Sequence, residues 1–419
     1  MKILKAFKWL YPGMWVKRWI LLSVFGIIMI SMGFVMVLLE QSPQNKTYAA
    51  FIIIIGILGV ITGIKRIIRS FVTVLFPDGR DELVDRIYQK RVLDRGPRIV
   101  VIGGGTGLST MLHGLKEYTS NITAIVTVSD DGGSSGRIRK DFDMLPPGDI
   151  RNCLVALAEA EPLIGKLFQF RFDEGSELKG HSFGNLFIAA MTKVTGDFNV
   201  AIKESSKVLA IRGSVLPATL DKAALVAEHI DGTTTVGESS ISKTKSRIVK
   251  VSLNPAGCKA TDEAVDAIRK ADAIVLGPGS LYTSIMPNLL VGTIAKDIIA
   301  SKAIKIYVCN VMTQKGETDG FKASDHLRAI IAHTGPGIVE HCIINTAKIP
   351  QQMLERYKAE EAYSVMPDSE NIKKLKAKVV EAHIISARDY VRHDPTRLAK
   401  IIVDLVISLK RAKAENGRH

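Results

Sequence analysis

The stretch Arg98–Thr110, RIVVIGGGTGLST, runs four apolar residues into three glycines and a threonine. Backbone N–H groups at a helix start attract phosphate, and glycine lets a ligand approach them closely. Gly103, Gly104, Gly105 and Thr106 therefore form a candidate anion cradle, with the Thr106 hydroxyl as a further donor. The spacing departs from G-x-G-x-x-G, because the third glycine counted from Gly103 falls on Leu108. Alone, the turn specifies phosphate and no particular molecule.

Four further clusters carry polar chemistry. In VSDDGGSSGRIR, Asp130 and Asp131 fit the acidic strand end that accepts hydrogen bonds from a ribose. The pair also suits Mg²⁺ through oxygen ligands, or an Asx turn closing on Gly132. Ser134, Ser135 and Arg137 add donors for an anion. PPGDIRNC sets Asp149, Arg151 and Asn152 at a helix start, where Asp149 fits an N-cap as well as a ligand. KGHSFGNL brings His181, Ser182 and Asn185 together. A Ser beside a His is not a nucleophile–base pair until geometry makes it one, so contact or capping is favoured over covalent catalysis. LGPGSLYTSIMPNLL offers a second small-residue cradle in Gly277, Gly279, Ser280, Tyr282 and Ser284, and Asn310 ends a later strand. In doubly wound sheets, ligands gather at the carboxyl ends of strands. These clusters at successive strand ends point to one shared crevice. The glycine spacing and the lack of a Tyr-x-x-x-Lys pair count against a nicotinamide oxidoreductase.

The elements that must position these residues alternate. Strands are predicted at Arg98–Gly103, Ile122–Val128, Ala273–Leu276 and Ile304–Cys309, with helices over Leu108–Tyr118, Asp149–Ala160 and Gly184–Val194. A last helix starts at Asp394-Pro395, an N-cap and N1 pair. Short apolar runs suit strands buried on both faces. The fold class is α/β, a Rossmann-like doubly wound, mostly parallel sheet. Residues 223–253 break the alternation and carry Asp231-Gly232, the signal of a β-hairpin insertion.

Residues 19–39 and 48–64 hold no charge, and a helix of about 20 apolar residues crosses the hydrocarbon layer. A cleaved signal peptide fits poorly, because the first run is too long and a second follows at once. Residues 1–72 are thus read as a membrane anchor of two transmembrane helices, 73–96 as a charged helical linker, and 97–419 as the nucleotide-binding domain. Lys2, Lys5, Lys8, Lys17 and Arg18 precede the first span, and Lys65, Arg66 and Arg69 follow the second. The connecting EQSPQNK has one Lys and one Glu. Flanking positive charge stays inside, so the expected location is the cell membrane, multi-pass, with the main domain and both termini cytoplasmic. Of the net charge of +14, residues 1–72 supply +8 and the other 347 residues only +6, which argues against a nucleic-acid partner. Cys153, Cys258, Cys309 and Cys342 form no C-x-x-C pair, and buried reduced thiols are expected.

The motifs GGGTGLST, VSDDGGSSGR, PPGDIRN, GHSFGNL, GPGSLYTSIMPNLL and CNVMTQKGETDG resemble, in order, the bacterial YvcK-type gluconeogenesis factors. That family is related to the CofD-type 2-phospho-lactate transferases. The resemblance spans residues 97 to 415. It implies a protein with no required cofactor that binds UDP-N-acetylglucosamine or a related nucleotide. It further implies control of carbon flow into cell-wall precursors and of cell shape, including stimulation of glucosamine-6-phosphate synthase. Carried over, Gly104, Gly105, Thr106, Asp130, Asp131, Asn152, His181, Asn185, Gly279 and Ser280 would line the nucleotide crevice. The alternative is a CofD-like transferase with Mg²⁺ on Asp130 or Asp131. A homo-oligomer is expected, in contact with membrane lipid through residues 19–64, which shorter family members lack. The full-length chain should sediment with membranes and resist a salt wash; recovery mainly in the soluble fraction would contradict the anchor.

Overall fold

The computed structural model describes residues 16–39, 42–75, 91–159, 162–173, 178–244, 246–387 and 391–416. The chain divides into two compact units, Met1–Arg91 and Val92–His419.

Among its described residues the first unit has two helices, Val16–Leu39 and Pro43–Leu75, each long and apolar enough to cross a membrane. They pair through glycine. A Cβ on Gly26 would stand 2.6 Å from the Gly56 carbonyl oxygen, and one on Gly56 would stand 2.6 Å from that of Gly26. A Cβ on Gly63 would stand 2.8 Å from the Trp19 carbonyl oxygen. Small residues of this kind let apolar helices associate by backbone approach. The second helix runs past the predicted Ile64 through Lys65, Arg66 and Arg69, and the Arg66 guanidinium lies 5.2 Å from the centre of the Trp19 ring. The predicted linker falls mostly on residues 76–90, outside the described residues, as do Lys2, Lys5 and Lys8.

The second unit is built on a seven-stranded sheet. Its strands are β1 (Ile99–Gly103), β2 (Ile122–Val126), β3 (Ser214–Pro217), β7 (Ala273–Leu276), β8 (Ile304–Val308), β9 (His341–Asn345) and β10 (Lys378–Ala382). The order is β10-β9-β8-β7-β1-β2-β3, and every pairing is parallel. All residues of β1, β7 and β8 are buried. Successive side chains of a strand point to opposite faces, and β1 shows it. Ile99 and Val101 pack into one apolar core, and Val100 and Ile102 into the other. Helices cover both faces, as a parallel sheet requires. The chain winds outward from β1 through β2 to β3, then returns to the other side of β1 at β7. The direction of winding therefore switches between β1 and β7.

The insertion between β3 and β7 is larger than a hairpin. Strands β4 (Ala224–His229), β5 (Thr234–Val236) and β6 (Ile248–Asn254) form an antiparallel sheet ordered β5-β4-β6, with a short helix at Glu238–Ile241. The Asp231-Gly232 turn joins β4 to β5: Asp231 Oδ1 accepts from the Thr233 N–H at 3.0 Å, and Gly232 takes a φ of 79°. Near the C-terminus, β11 (Ile385–Ala387) pairs with β12 (Val391–His393). The final helix, Pro395–Asn416, starts as expected, with Asp394 accepting from the Arg397 N–H at 2.9 Å. All four cysteines are free and buried.

Several boundaries differ from the sequence reading by a few residues, and two of them bear on the site. The helix expected from Leu108 begins at Gly105, because Gly104 is extended, at φ −166°, and acts as its N-cap. The helix expected from Asp149 begins at Gly148, capped by Pro147. The first helix is crossed by the start of the last one at Gly114, where a Cβ would meet the Pro395 carbonyl oxygen at 2.0 Å. Gly114→Ala should therefore cost about 3 kcal/mol through overpacking. Urea unfolding followed by circular dichroism would show a lowered midpoint; an unchanged midpoint would contradict this packing.

Candidate functional site

The loops that follow β1 and β7 touch across the switch point. A Cβ on Gly107 would stand 2.6 Å from the Pro278 carbonyl oxygen and 3.2 Å from Gly279 Cα. One on Gly279 would stand 3.2 Å from the Gly104 carbonyl oxygen. Gly277, at φ 75°, begins the second loop, and its N–H donates to Ile102 O at 2.9 Å. Asn288 Nδ2 ties the loops together by donating to Gly103 O at 3.1 Å and to Ser284 O at 2.8 Å. Asn310, from the end of β8, accepts from the Gly279 N–H at 3.3 Å. The result is a cavity of about 210 Å³ lined by Thr106, Gly107, Gly279, Ser280, Asn310, Tyr357 and Arg392, among others. The helix Gly105–Leu115 points its N-terminus here, and Gly104 has no side chain to cap it. Uncapped first-turn N–H groups and the helix dipole favour an anion. Arg392, on β12, supplies the cation; no motif marked it in the sequence, because it comes from far along the chain.

A second wall of the crevice is acidic. Asp149 is not the N-cap of its helix. It sits in the first turn, where Pro147 is the cap, and its carboxylate reaches over the first glycine loop instead. A Cβ on Gly104 would stand 2.5 Å from Asp149 Oδ2. Burial raises the Asp149 carboxyl to about 6, although a hydrogen bond from the Gly105 N–H works the other way and the Asp130 charge adds to the rise. Glu317 accepts from Thr283 Oγ1 at 3.0 Å and from Gln314 Nε2 at 2.8 Å, and Gln314 Oε1 in turn accepts from the Ser280 hydroxyl. Burial pushes Glu317 to about 7. Glu238 enters from the insertion. Burial, then the charges of Asp130, Asp149, Glu317 and Asp131, push it to about 9. The Oε2 atoms of Glu238 and Glu317 are buried with no hydrogen-bond partner among the described residues.

Asp130 and Asp131 each commit one oxygen to a backbone N–H, Asp130 locally and Asp131 across to the insertion. Asp130 Oδ1 accepts from the Gly132 N–H at 2.9 Å, and Asp131 Oδ1 accepts from the Ser239 N–H of the insertion at 2.8 Å. Among the described residues, no three His, Cys, Asp or Glu side chains stand as a group that could hold a metal ion. Raised carboxyls in a cleft are the usual furniture of acid–base chemistry. The sequence reading found no such set, because Asp149 resembled a cap and Glu238 and Glu317 lie outside any recognisable phosphate or metal motif.

The remaining residues lie along the same wall. Ser134 Oγ lies 3.3 Å from His181 Nδ1 and accepts from Asn185 Nδ2 at 3.1 Å. Ser182 caps the helix Phe183–Thr195 by accepting from the Asn185 N–H, and takes a further bond from Arg151 Nη1 at 2.5 Å. This is a buried polar network around a helix start, with Ser182 held as a cap and acceptor. The chain of contacts reaches the glycine loop through Gly148, whose Cβ position lies 2.2 Å from Ser135 Oγ and 3.2 Å from Asp130 Oδ2. Asn152 is set apart. It lines a separate cavity of about 390 Å³ with Ser109, Thr110, His113, Lys116 and Gln169.

Residues 99–385 match the family described as 2-phospho-L-lactate transferase CofD. A protein of Nostoc sp. is 48% identical over 419 residues, 95% of this chain and 92% of its own length, a span that takes in most of the first 96 residues. A gluconeogenesis factor of Bacillus subtilis is 49% identical over 311 residues, 74% of this chain and 98% of its own. The crystal structure of a UPF0052 family protein from Bacillus halodurans superimposes with a TM-score of 0.72 at 50% identity, covering 74% of this chain and 99% of that one.

The acidic wall makes stability depend on pH. A carboxyl raised in the folded chain keeps a proton that it loses on unfolding, between its ordinary value and its raised one. That stability is present at low pH and is lost as pH climbs through about 6 for Asp149, about 7 for Glu317 and about 9 for Glu238. The melting temperature should fall from about pH 5 to about pH 9. Glu238→Gln should flatten the upper part of that fall and melt above the parent at its alkaline end. A variant less stable than the parent there would contradict the assignment.

Proposed function

This chain belongs to the CofD family and, within it, to the gluconeogenesis factors of the YvcK type, and on that premise we propose that it is a membrane-anchored regulator that binds UDP-N-acetylglucosamine. Through that ligand it adjusts the flow of carbon into cell-wall precursors and hence cell shape, with glucosamine-6-phosphate synthase as a partner. One observation carries the binding reading. A helix N-terminus whose N-cap residue has no side chain, the Gly279–Ser280 turn and Arg392 converge on one cavity at the switch point. Such a crevice is where doubly wound sheets take nucleotides, and a diphosphate matches its donors and its sign. The two apolar helices of the first unit support the anchor.

The acidic wall favours a second reading. Asp149, Glu317 and Glu238 offer raised carboxyls beside the anion cavity, a constellation that suits proton transfer during group transfer. A transferase of the CofD type would join a phospholactate-like unit to an acceptor, with Mg²⁺ offsetting the charge of Asp130 and Asp131.

Titration calorimetry on the full chain in detergent separates the two. UDP-N-acetylglucosamine, GTP and NADP are each added with and without Mg²⁺. The regulator reading expects tight, metal-independent binding of the UDP-sugar. It also expects Arg392→Ala to weaken that binding by about tenfold or more, the scale of a charge-assisted phosphate contact. Mg²⁺-dependent consumption of a guanosine-linked substrate would overturn it in favour of the transferase.

A further inference from the structure

Resting on the nucleotide-sugar reading, we propose that the ligand is held in two compartments, with its diphosphate at the helix N-terminus and its sugar in the separate cavity that holds Asn152. Thr106, Thr110 and His113 recur at i, i+4 and i+7 of the helix Gly105–Leu115 and so share one face. Thr106 and Thr110 line the first cavity; Thr110 and His113 line the second. The second therefore continues the first along the helix. At about 210 Å³ the first falls below the usual range for a ligand of this size, and the second, at about 390 Å³, supplies the missing room.

The hydrogen-bonding pattern selects a sugar for the second compartment. The Ser109 and Thr110 hydroxyls both donate to Thr106 O, at 3.0 and 2.8 Å. Their protons are spent, so toward a ligand they are acceptors. Arg151 Nη2 donates to Asn152 Oδ1 at 2.6 Å. Arginine only donates, so this bond fixes the amide and leaves Asn152 Nδ2 as the donor. Lys116 Nζ, held on Ala158 O at 2.9 Å, adds a second donor. Sugar hydroxyls both give and take hydrogen bonds and match this mixture. A phosphate only accepts at neutral pH, so it would use Lys116 and Asn152 but leave the lone pairs of Ser109 and Thr110 unmatched, whereas a sugar hydroxyl matches both sets. Tyr357, whose ring suits a base, lines the first compartment and not the second.

The test compares affinities of the full chain in detergent for UDP and for UDP-N-acetylglucosamine. In the parent the sugar should add about tenfold, the worth of one or two good hydrogen bonds. In Asn152→Ala, and in Ser109→Phe, which fills the compartment, the ratio of the two affinities should fall close to one. Ser109→Phe leaves the Arg151–Asn152 bond intact and decides the matter if Asn152→Ala does not fold. A parent that binds the two equally, or a ratio that survives Ser109→Phe, overturns the second compartment alone. A parent that binds neither compound overturns the nucleotide reading itself.

Discussion

The site depends on the backbone contact between the loops that follow β1 and β7. Any side chain at Gly107 would strike the Pro278 carbonyl, and the Gly104–Gly279 approach is nearly as tight. This contact closes the floor of the crevice. It leaves the N-terminus of the helix Gly105–Leu115 facing the Gly279–Ser280 turn, so that two loops from distant parts of the sequence make one anion cavity. The parallel sheet makes the contact possible, because its winding switches direction between these two strands and parts the loops' helices to opposite faces. Asn288 then locks the arrangement with hydrogen bonds to the Gly103 and Ser284 carbonyls.

Around that contact the crevice has two walls of opposite character. One offers backbone N–H groups and Arg392, and the other carries Asp130, Asp149, Glu238 and Glu317. Such proximity would be costly if every carboxylate were charged. Burial and mutual repulsion answer by holding Asp149, Glu317 and Glu238 protonated further up the pH scale than usual. The Gly105 N–H bonds to Asp149, so the first glycine turn is already partly satisfied from within the chain. The donors left for a ligand lie further along the helix start, at Thr106 and Gly107. An acidic wall of this kind also limits which ligands fit. It tolerates hydroxyls and cations and disfavours negative charge beyond the diphosphate.

Much of this was legible in the sequence, for identifiable reasons. Continuous apolar runs such as IVVIG and AIVL could only be strands covered on both faces. Glycine and serine clusters at their ends mark the crevice, and the Asp394-Pro395 pair marks the start of the last helix. What stayed hidden was long-range. Asp149 fitted a cap by local rules, and only the packing of its helix against the glycine turn turns its carboxylate to the loop. Glu238 carries no pattern of its own, and Glu317 lies in CNVMTQKGETDG with no chemistry marked by its neighbours, since the meaning of both comes from the insertion and the β8 loop meeting over the crevice. The family resemblance sets Asn152 in one crevice with Asp130 and Asp131, yet its helix presents it to a different cavity. Register and helix phase, which decide such questions, are tertiary facts.

The central claim is that the diphosphate of a nucleotide sugar binds at the switch point. A crystal structure of the chain with UDP-N-acetylglucosamine tests it most directly. The account predicts phosphate oxygens within hydrogen-bonding distance of the Thr106 or Gly107 N–H and of Arg392, with the sugar lying toward Asn152. Phosphate density against Asp130 and Glu238, or bridged to them by a metal ion, would contradict it.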